Sequence, residues 1–563
     1  MYWSLVLILV PMLGALLLAK TTTERGQSFV AMGVAAVTLL ASVSTMTLAR
    51  SGKVFTLGFG SSPFFQSLLR TDSLAALFSL FSAFVWFAAA IYMHGYMKYE
   101  ERTREFYTYY LITLGATQGI FLAGNFVILL AFFELMTLTS QAWVTHHQED
   151  VQAQEAGSLY HHLGVLAGIF IGVAIISLYL SGIDLRVGVA ALTATHRSLF
   201  TVAILLLIAG FGVKAGMVPL HIWLPKAHPV APTPGSALLS GILIKTGAYG
   251  LIRTGQLVDW GQTALVPWVG TLLVIIGVLT MLVGVCLALL QGNAKRLLAY
   301  HSISQMGYII LGIGSALVLK QNGALGITGA IFHSLNHALF KSALFFGVGI
   351  VILGTGEADL YKLGGLWRKF PFTGLMMFIA ALGITGMPGL NGYISKTLLH
   401  HGILEAAALG SPIMIWGERL FIVVGVGTTA SFVKLIGLTF FGRQKTEVRE
   451  GRGEGLPLAI AMLLLSVVML VIGLKPEWAL TLLIYPAAQS GGMLNVAALG
   501  DINFWEWSAI RDMLLTLVTG FAFFAVGMKT NLFHYEFPAW LSFEGAWKAL
   551  RKDAEDAKRR EGH

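Results

Sequence analysis

Eight ionisable side chains stand inside stretches that are otherwise apolar. Glu134 lies in Leu129-Leu-Ala-Phe-Phe-Glu134-Leu-Met, Lys214 in Gly210-Phe-Gly-Val-Lys214-Ala-Gly216, and Lys245 in Gly241-Ile-Leu-Ile-Lys245-Thr-Gly. His333, His337 and Lys341 follow at i, i+4 and i+8, then Lys396 and Lys434. A charged side chain at the centre of a membrane helix costs at least about 2.5–3.5 kcal/mol, so a purely structural role for so many is disfavoured. The four-residue spacing sets His333, His337 and Lys341 in a row on one helix face. Histidine takes up and releases protons near neutral pH, and burial favours the neutral form of a lysine or a carboxylate. The chemistry this pattern allows is proton transfer between buried sites. Two unit charges 4 Å apart interact by about 4 kcal/mol at an effective dielectric of 20, and about 1.4 kcal/mol is a tenfold change in occupancy. Moving one charge is therefore enough to load or unload its neighbour.

Other roles for single members of the set stay open. A lone intramembrane lysine can snorkel or satisfy a helix end, and Lys434 admits that reading. Glu134 can serve as the counter-ion of one lysine. His221, His228 and His301 are further relay candidates. The adjacent pairs His146-His147, His161-His162 and His400-His401 sit near expected membrane edges. Neighbouring helical residues point about 100° apart, so these pairs are not expected to share a metal, and no HExxH pattern supports one. The single cysteine, Cys286, excludes a disulfide framework and iron–sulfur ligation within the chain. Its place in an apolar run suggests a buried thiol. No metal or cofactor is expected in this chain.

The elements that must position these residues are membrane helices. Of 563 residues, 56% are hydrophobic and only 12% are charged, about half the charged share of a soluble chain. A bilayer core needs about 20 apolar residues per helix. Candidate spans lie near 2–19, 28–49, 73–95, 106–123, 125–143, 160–181, 198–218, 234–255, 265–290, 299–318, 325–354, 371–390, 415–441, 456–474 and 513–530. The expected fold is an all-α polytopic bundle of about 14–15 transmembrane helices. The stretch Leu5 to Leu18 has no basic segment before it and reads as the first span rather than a signal peptide. The seventh span is broken at Gly216-Met-Val-Pro219 and the twelfth at Gly386-Met-Pro388-Gly389, each close to a lysine. Paired broken helices, one in each half of a bundle, mark the pathway in many transporters.

The net charge of +9 comes from basic residues in short loops, which argues for membrane orientation and against nucleic acid as a partner. Lys98, Arg102, Arg104, Lys295, Arg296, Lys362, Arg368, Lys369, Arg443, Lys445, Arg449 and Arg452 fall in odd-numbered loops. Those loops are expected to be cytoplasmic and the N-terminus outside. The basic tail from Lys548 to Arg560 suits a cytoplasmic end.

Several long motifs carry a resemblance. Lys214-Ala-Gly-Met-Val-Pro-Leu-His221-Ile-Trp223-Leu-Pro225-Lys-Ala-His228, Lys295-Arg-Leu-Leu-Ala-Tyr-His-Ser-Ile-Ser-Gln305, His333-Ser-Leu-Asn-His337-Ala-Leu-Phe-Lys341 and Gly389-Leu-Asn-Gly392-Tyr-Ile-Ser395-Lys396 resemble the antiporter-like subunits of respiratory complex I, group 4 membrane-bound hydrogenases and Mrp cation/proton antiporters. The likeness runs from about Tyr107 to Gly442. It implies two inverted five-helix repeats, here 106–255 and 256–442, flanked by N-terminal helices 1–105 and a C-terminal part 443–563. It further implies that Glu134 and Lys214 form a charge pair and that Lys245 connects the halves. Lys341 would then be central and Lys396 terminal, with His333 and His337 relaying protons between them. Lys226 and Asn293 stand where complex I subunits usually carry acidic residues, and the runs Pro225-Lys-Ala-His228-Pro-Val-Ala-Pro232 and Phe432-Val-Lys434-Leu-Ile-Gly look closer to the hydrogenase and Mrp branches.

The implied function is proton, or proton and sodium, translocation within a redox-driven membrane complex. Iron–sulfur clusters and other redox centres would sit in partner subunits. Alternatives are a redox-independent Mrp-type antiporter and an ion-coupled inorganic carbon uptake complex. The partners expected are other membrane subunits and the lipid bilayer, and the location a prokaryotic inner membrane.

Overall fold

In lipid a backbone must satisfy its own N–H and C=O groups, and a helix does so within one segment. The computed structural model obeys that rule and describes residues 2–59, 62, 65–189, 196–258, 265–491, 499 and 502–535. The basic tail lies outside them.

The helices run α1 (Tyr2–Leu18), α2 (Glu24–Ala49), α3 (Ser73–Tyr96), α4 (Thr103–Leu122), α5 (Phe126–Val144), α6 (Val151–Leu180) and α7 (Arg197–Ala215). After them come α8 (Leu224–Val230), α9 (Thr233–Leu238), α10 (Ile244–Leu257), α11 (Leu265–Leu289), α12 (Ala294–Leu319) and α13 (Ala324–Thr355). The chain closes with α14 (Pro371–Thr385), α15 (Asn391–Ala407), α16 (Pro412–Phe440), α17 (Leu456–Leu474), α18 (Pro476–Ala479), α19 (Tyr485–Ser490) and α20 (Trp507–Lys529). Among the described residues 12 helical stretches are long and apolar enough to cross a membrane, and α1 and α14 are shorter apolar helices. Every expected span falls on helix. The segment from α18 to α19 was not expected to be helical, and α6 starts at Val151 because the Asp150 carboxylate accepts from the Gln152 N–H and caps it.

The bundle has a polar, buried centre and an apolar rim. The stretch Thr233–Leu257 is wholly buried, whereas only 6% of the α20 window is. Cys286 belongs to the rim: it is exposed on α11, contrary to the buried thiol expected. An apolar run in a membrane protein faces lipid as readily as it faces protein, so hydropathy does not tell the two apart.

Both expected breaks are present, and they close in the same way. Gly216 (φ 70°) ends α7 and Gly386 (φ 91°) ends α14 in the left-handed region, where glycine carries no Cβ penalty. In each case the next residue reaches back five positions, Met217 N–H to the Gly212 carbonyl at 2.9 Å and Met387 N–H to the Leu382 carbonyl at 3.0 Å. A third irregularity lies between α9 and α10, where Leu239–Leu243 form a π turn.

At one end of the bundle a short antiparallel pair, β1 (Phe55–Leu57) and β2 (Leu69–Thr71), leads into Asp72. The Asp72 carboxylate accepts from the Ala75 N–H at 2.9 Å and from both terminal nitrogens of Arg253 at 2.7 and 2.8 Å. Arg253 also donates to Tyr249 and Gln256, so this buried pair fastens the start of α3 to the end of α10.

Candidate functional site

The first group forms where α5, α6 and α7 meet. Lys214, 4% exposed, donates to the Tyr160 hydroxyl at 2.6 Å, and Tyr160 lies 2.6 Å from the Ser140 hydroxyl. The ammonium also lies 4.7 Å from the Tyr160 ring centre and 5.7 Å from that of Trp223. The family resemblance pairs Lys214 with Glu134. The two are within electrostatic reach of each other, but the hydrogen bonds of Lys214 run to Tyr160 and Thr137. Glu134 is half-buried over Gly168, with Oε1 enclosed and without a hydrogen-bond partner. The two acceptors around Lys214 are neutral, so its charge is not locked by a carboxylate. A cavity of about 10 Å³ bordered by Phe133, Thr137, Tyr160 and Lys214 is at the lower limit for one water.

The second group is wholly buried. The π turn aims the Ser240 carbonyl at Lys245, which donates to it at 2.6 Å. Lys341 on α13 donates to the Leu298 carbonyl of α12. Ser240 and Ser302 join hydroxyls at 2.7 Å and hold the π turn against α12. Lys245 and Lys341 lie within electrostatic reach of each other and of His228, whose ring stacks on Phe345 at 4.8 Å.

The third group follows the row on α13. The His333 and His337 rings lie parallel, 4° apart in plane and 6.3 Å apart in centre. Gln305 and Ser395 hold the two ring nitrogens of His333 at 3.0 Å each. Both nitrogens of His337 and of His301 are enclosed without a hydrogen-bond partner, and so are those of His228. His301 lies in electrostatic reach of both Lys341 and Lys396. Lys396, just beyond the second break, donates to the Thr385 carbonyl at 3.4 Å and sits 5.2 Å from the Tyr308 ring centre. It lines a cavity of about 420 Å³ with Tyr308, His400, His401 and Asp512.

One physical device recurs. Lys245, Lys341, Lys396 and Lys434 all donate to main-chain carbonyls, three of them at a helix end or a π turn. Such carbonyls carry partial negative charge and lack intrahelical partners, so they receive an ammonium without a buried carboxylate. Lys434 is the clearest case: it donates to Leu289 at 2.8 Å and Gln291 at 2.9 Å, just where α11 stops. His221 stands apart from the main row, in the turn between α7 and α8 against the Pro219 backbone.

Two features escaped the sequence reading. Lys295, counted there as a loop charge, is 7% exposed and donates to the Ala231 carbonyl at the end of α8 at 2.8 Å. It lies in electrostatic reach of His228, which ties it to the buried group. Its position next to Asn293, whose side chain accepts from the Arg296 N–H at 3.1 Å and caps α12, was the available signal. Glu100, His146 and His147 form the other cluster, with ligand-type atoms all within 4.8 Å.

Residues 123–423 match the family described as NADH:quinone oxidoreductase/Mrp antiporter, TM. The chain is 33% identical over 425 residues to Hydrogenase-4 component B of Escherichia coli, covering 73% of this chain and 62% of that one. Over 432 residues it is 32% identical to a Na(+)/H(+) antiporter subunit of Alkalihalophilus pseudofirmus, covering 75% of this chain and 83% of the relative. The fold superposes on a chain of the Mrp complex from a Dietzia species with a TM-score of 0.76 at 24% identity, covering 91% of this chain and 100% of that one. The chain is a multi-pass membrane protein that belongs to the NADH:quinone oxidoreductase/Mrp antiporter family of antiporter-like membrane subunits.

Proposed function

We propose that the protein translocates protons, or protons with sodium, as one subunit of a redox-driven complex in a prokaryotic inner membrane. The observation that carries the proposal is the unbroken electrostatic sequence from Lys245 through Lys341, His337 and His333 to Lys396. Each member is buried and sits on carbonyls, hydroxyls or ring edges rather than on a carboxylate. A charge arriving at one site therefore acts on the next without first breaking an ion pair. Glu134 and Lys214 form the other end of this reading, with the Tyr160 hydroxyl between Lys214 and Ser140 as a proton carrier. The two breaks, closed by the same glycine-centred turn, support the division into repeats 106–255 and 256–442.

The likeness to Hydrogenase-4 component B supports a redox-driven assembly whose electron-carrying centres lie in partner subunits. A second reading, a redox-independent cation/proton antiporter, draws on the relative matched over 83% of its length.

Ion uptake into sealed vesicles carrying the native complex separates them, with and without redox substrate and sodium. Uptake that requires the redox substrate and disappears in Lys341→Ala is the expected result. Sodium-driven proton flux without redox substrate selects the antiporter, and unchanged uptake in Lys341→Ala removes Lys341 from the path.

A further inference from the structure

Glu100 follows the short helical turn after α3, while His146 and His147 lie just past the end of α5. Because both histidines stand beyond the helix, the 100° divergence of neighbouring helical residues does not apply to them. Their Nε2 atoms face the same Glu100 oxygen, His147 at 3.0 Å and His146 at 3.9 Å. The rings are 5.2 Å apart and inclined at 73°, an arrangement that converges on one point beside the carboxylate.

Hydrogen-bond accounting points to a cation there. His147 Nδ1 lies 3.2 Å from the Val230 carbonyl, which only accepts, so Nδ1 carries the hydrogen. In the neutral ring Nε2 then presents a lone pair to a carboxylate oxygen, and two acceptors face each other at 3.0 Å. Either a second proton on Nε2 or a metal ion removes that conflict, and the convergence of His146 on the same oxygen is what favours the metal. The Val230 carbonyl on the far nitrogen is the outer-shell partner that fixes a ligating imidazole. The His146 ring likewise interacts with the Glu101 backbone. Zinc holds nitrogen and oxygen ligands at about 2.0–2.2 Å, which sets neighbouring ligand atoms about 3.4 Å apart. The cluster, with all three atoms within 4.8 Å, needs to close by up to about 1.4 Å. The half-exposed His147 ring has room to make that movement.

We propose that Glu100, His146 and His147 bind a divalent transition-metal ion of zinc-like ligand preference. Three protein ligands leave a fourth position for water, the pattern of an exchangeable ion rather than of a closed structural centre. Arg102 and Lys295 lie within electrostatic reach of this cluster and weaken the ion's hold.

The test uses the full, untagged chain, stripped with chelator, in lipid nanodiscs. Zinc binding is read by calorimetry and cobalt binding by its visible ligand-field bands. One ion per chain is expected, held more than about tenfold more weakly in His146→Ala, His147→Ala and Glu100→Gln. His400→Ala, at a separate histidine–carboxylate contact, should bind as wild type. Glu100→Gln keeps the side-chain shape and decides the matter if a histidine variant fails to fold. No stoichiometric binding, or binding equal in wild type and Glu100→Gln, overturns the proposal. None of these readouts depends on ion translocation.

Discussion

The Ser395 hydroxyl lies between the His333 Nδ1 at 3.0 Å and the Gly392 carbonyl at 3.3 Å. A hydroxyl has one hydrogen, so it donates to the imidazole or to the carbonyl, never to both. With His333 neutral and its Nε2–H on Gln305, Ser395 donates to Nδ1. With His333 doubly protonated, Ser395 accepts and turns its hydrogen to Gly392. Ser395 therefore rotates with the charge on His333, one residue before Lys396.

Ser395→Ala removes this rotor and should slow proton uptake by the native complex about tenfold or more, whereas Ser395→Thr keeps it. Uptake into sealed vesicles, normalised to the amount of complex, gives the comparison. Equal rates in the alanine and threonine variants would exclude a role for the hydroxyl.

Lys434 should behave unlike Lys341. It closes the end of α11, and its removal leaves the buried Leu289 carbonyl short of a donor, at about 1–3 kcal/mol, and the half-buried Gln291 carbonyl at less. Lys434→Met is expected to lower the melting temperature while sparing uptake, and Lys341→Met to do the reverse. Loss of uptake in a well-folded Lys434→Met protein would place Lys434 on the path.

Gly386 has a backbone that an alanine enters at about 1–2 kcal/mol, and a Cβ there comes within 3.2 Å of Lys396 and Met513. Gly389, at φ 90°, has nothing within 4 Å. Gly389→Ala thus reports the backbone strain alone. Gly386→Ala should match its loss of thermal stability and in addition reduce ion flux, because it presses on Lys396.

The Asp72–Arg253 pair should dominate stability at its end of the bundle. Breaking a buried pair costs about 3–5 kcal/mol, so Asp72→Asn and Arg253→Gln should each unfold readily. Burial pushes the Asp72 carboxyl up, but the Arg253 guanidinium, by charge and hydrogen bonds, and Arg70 hold it net below the usual carboxylate value. A depressed carboxyl contributes stability that is full above its unfolded pKa and fades as pH falls through the folded one. Wild type should lose this contribution on acidification below about pH 3.9, and Asp72→Asn should not.

The spans and the row of ionisable residues were legible because each defies the hydropathy around it. Both breaks were legible too, since Gly216 and Gly386 sit where a helix could otherwise continue. Contacts between distant residues were not: Asp72 and Arg253 are 181 positions apart and each looks like an ordinary flanking charge. Lys295 was misread for a related reason. Loop counting assigns every basic residue near a span edge to water, while the end of α8 offers Lys295 a carbonyl inside the bundle. Lys434 could be interpreted only once the stop of α11 was located. Motif position brings Glu134 and Lys214 together, but it gives no sign that Tyr160, 54 positions from Lys214, supplies the hydrogen bond.

The π turn at Leu239–Leu243 carries a consequence for how such chains diverge. A π turn accommodates one residue more than an α turn, and each residue of an α-helix advances the helix by about 100°. Because the wide turn absorbs that extra residue within itself, losing a single codon in this stretch would restore a regular helix and leave Lys245 on the face it now occupies, but it would remove the widened turn whose Ser240 carbonyl receives the ammonium. The rest of α10, including Arg253, would keep its register with Asp72. A one-residue alignment gap at this point would thus mark a chain that keeps the lysine on its face but lacks the turn that seats it.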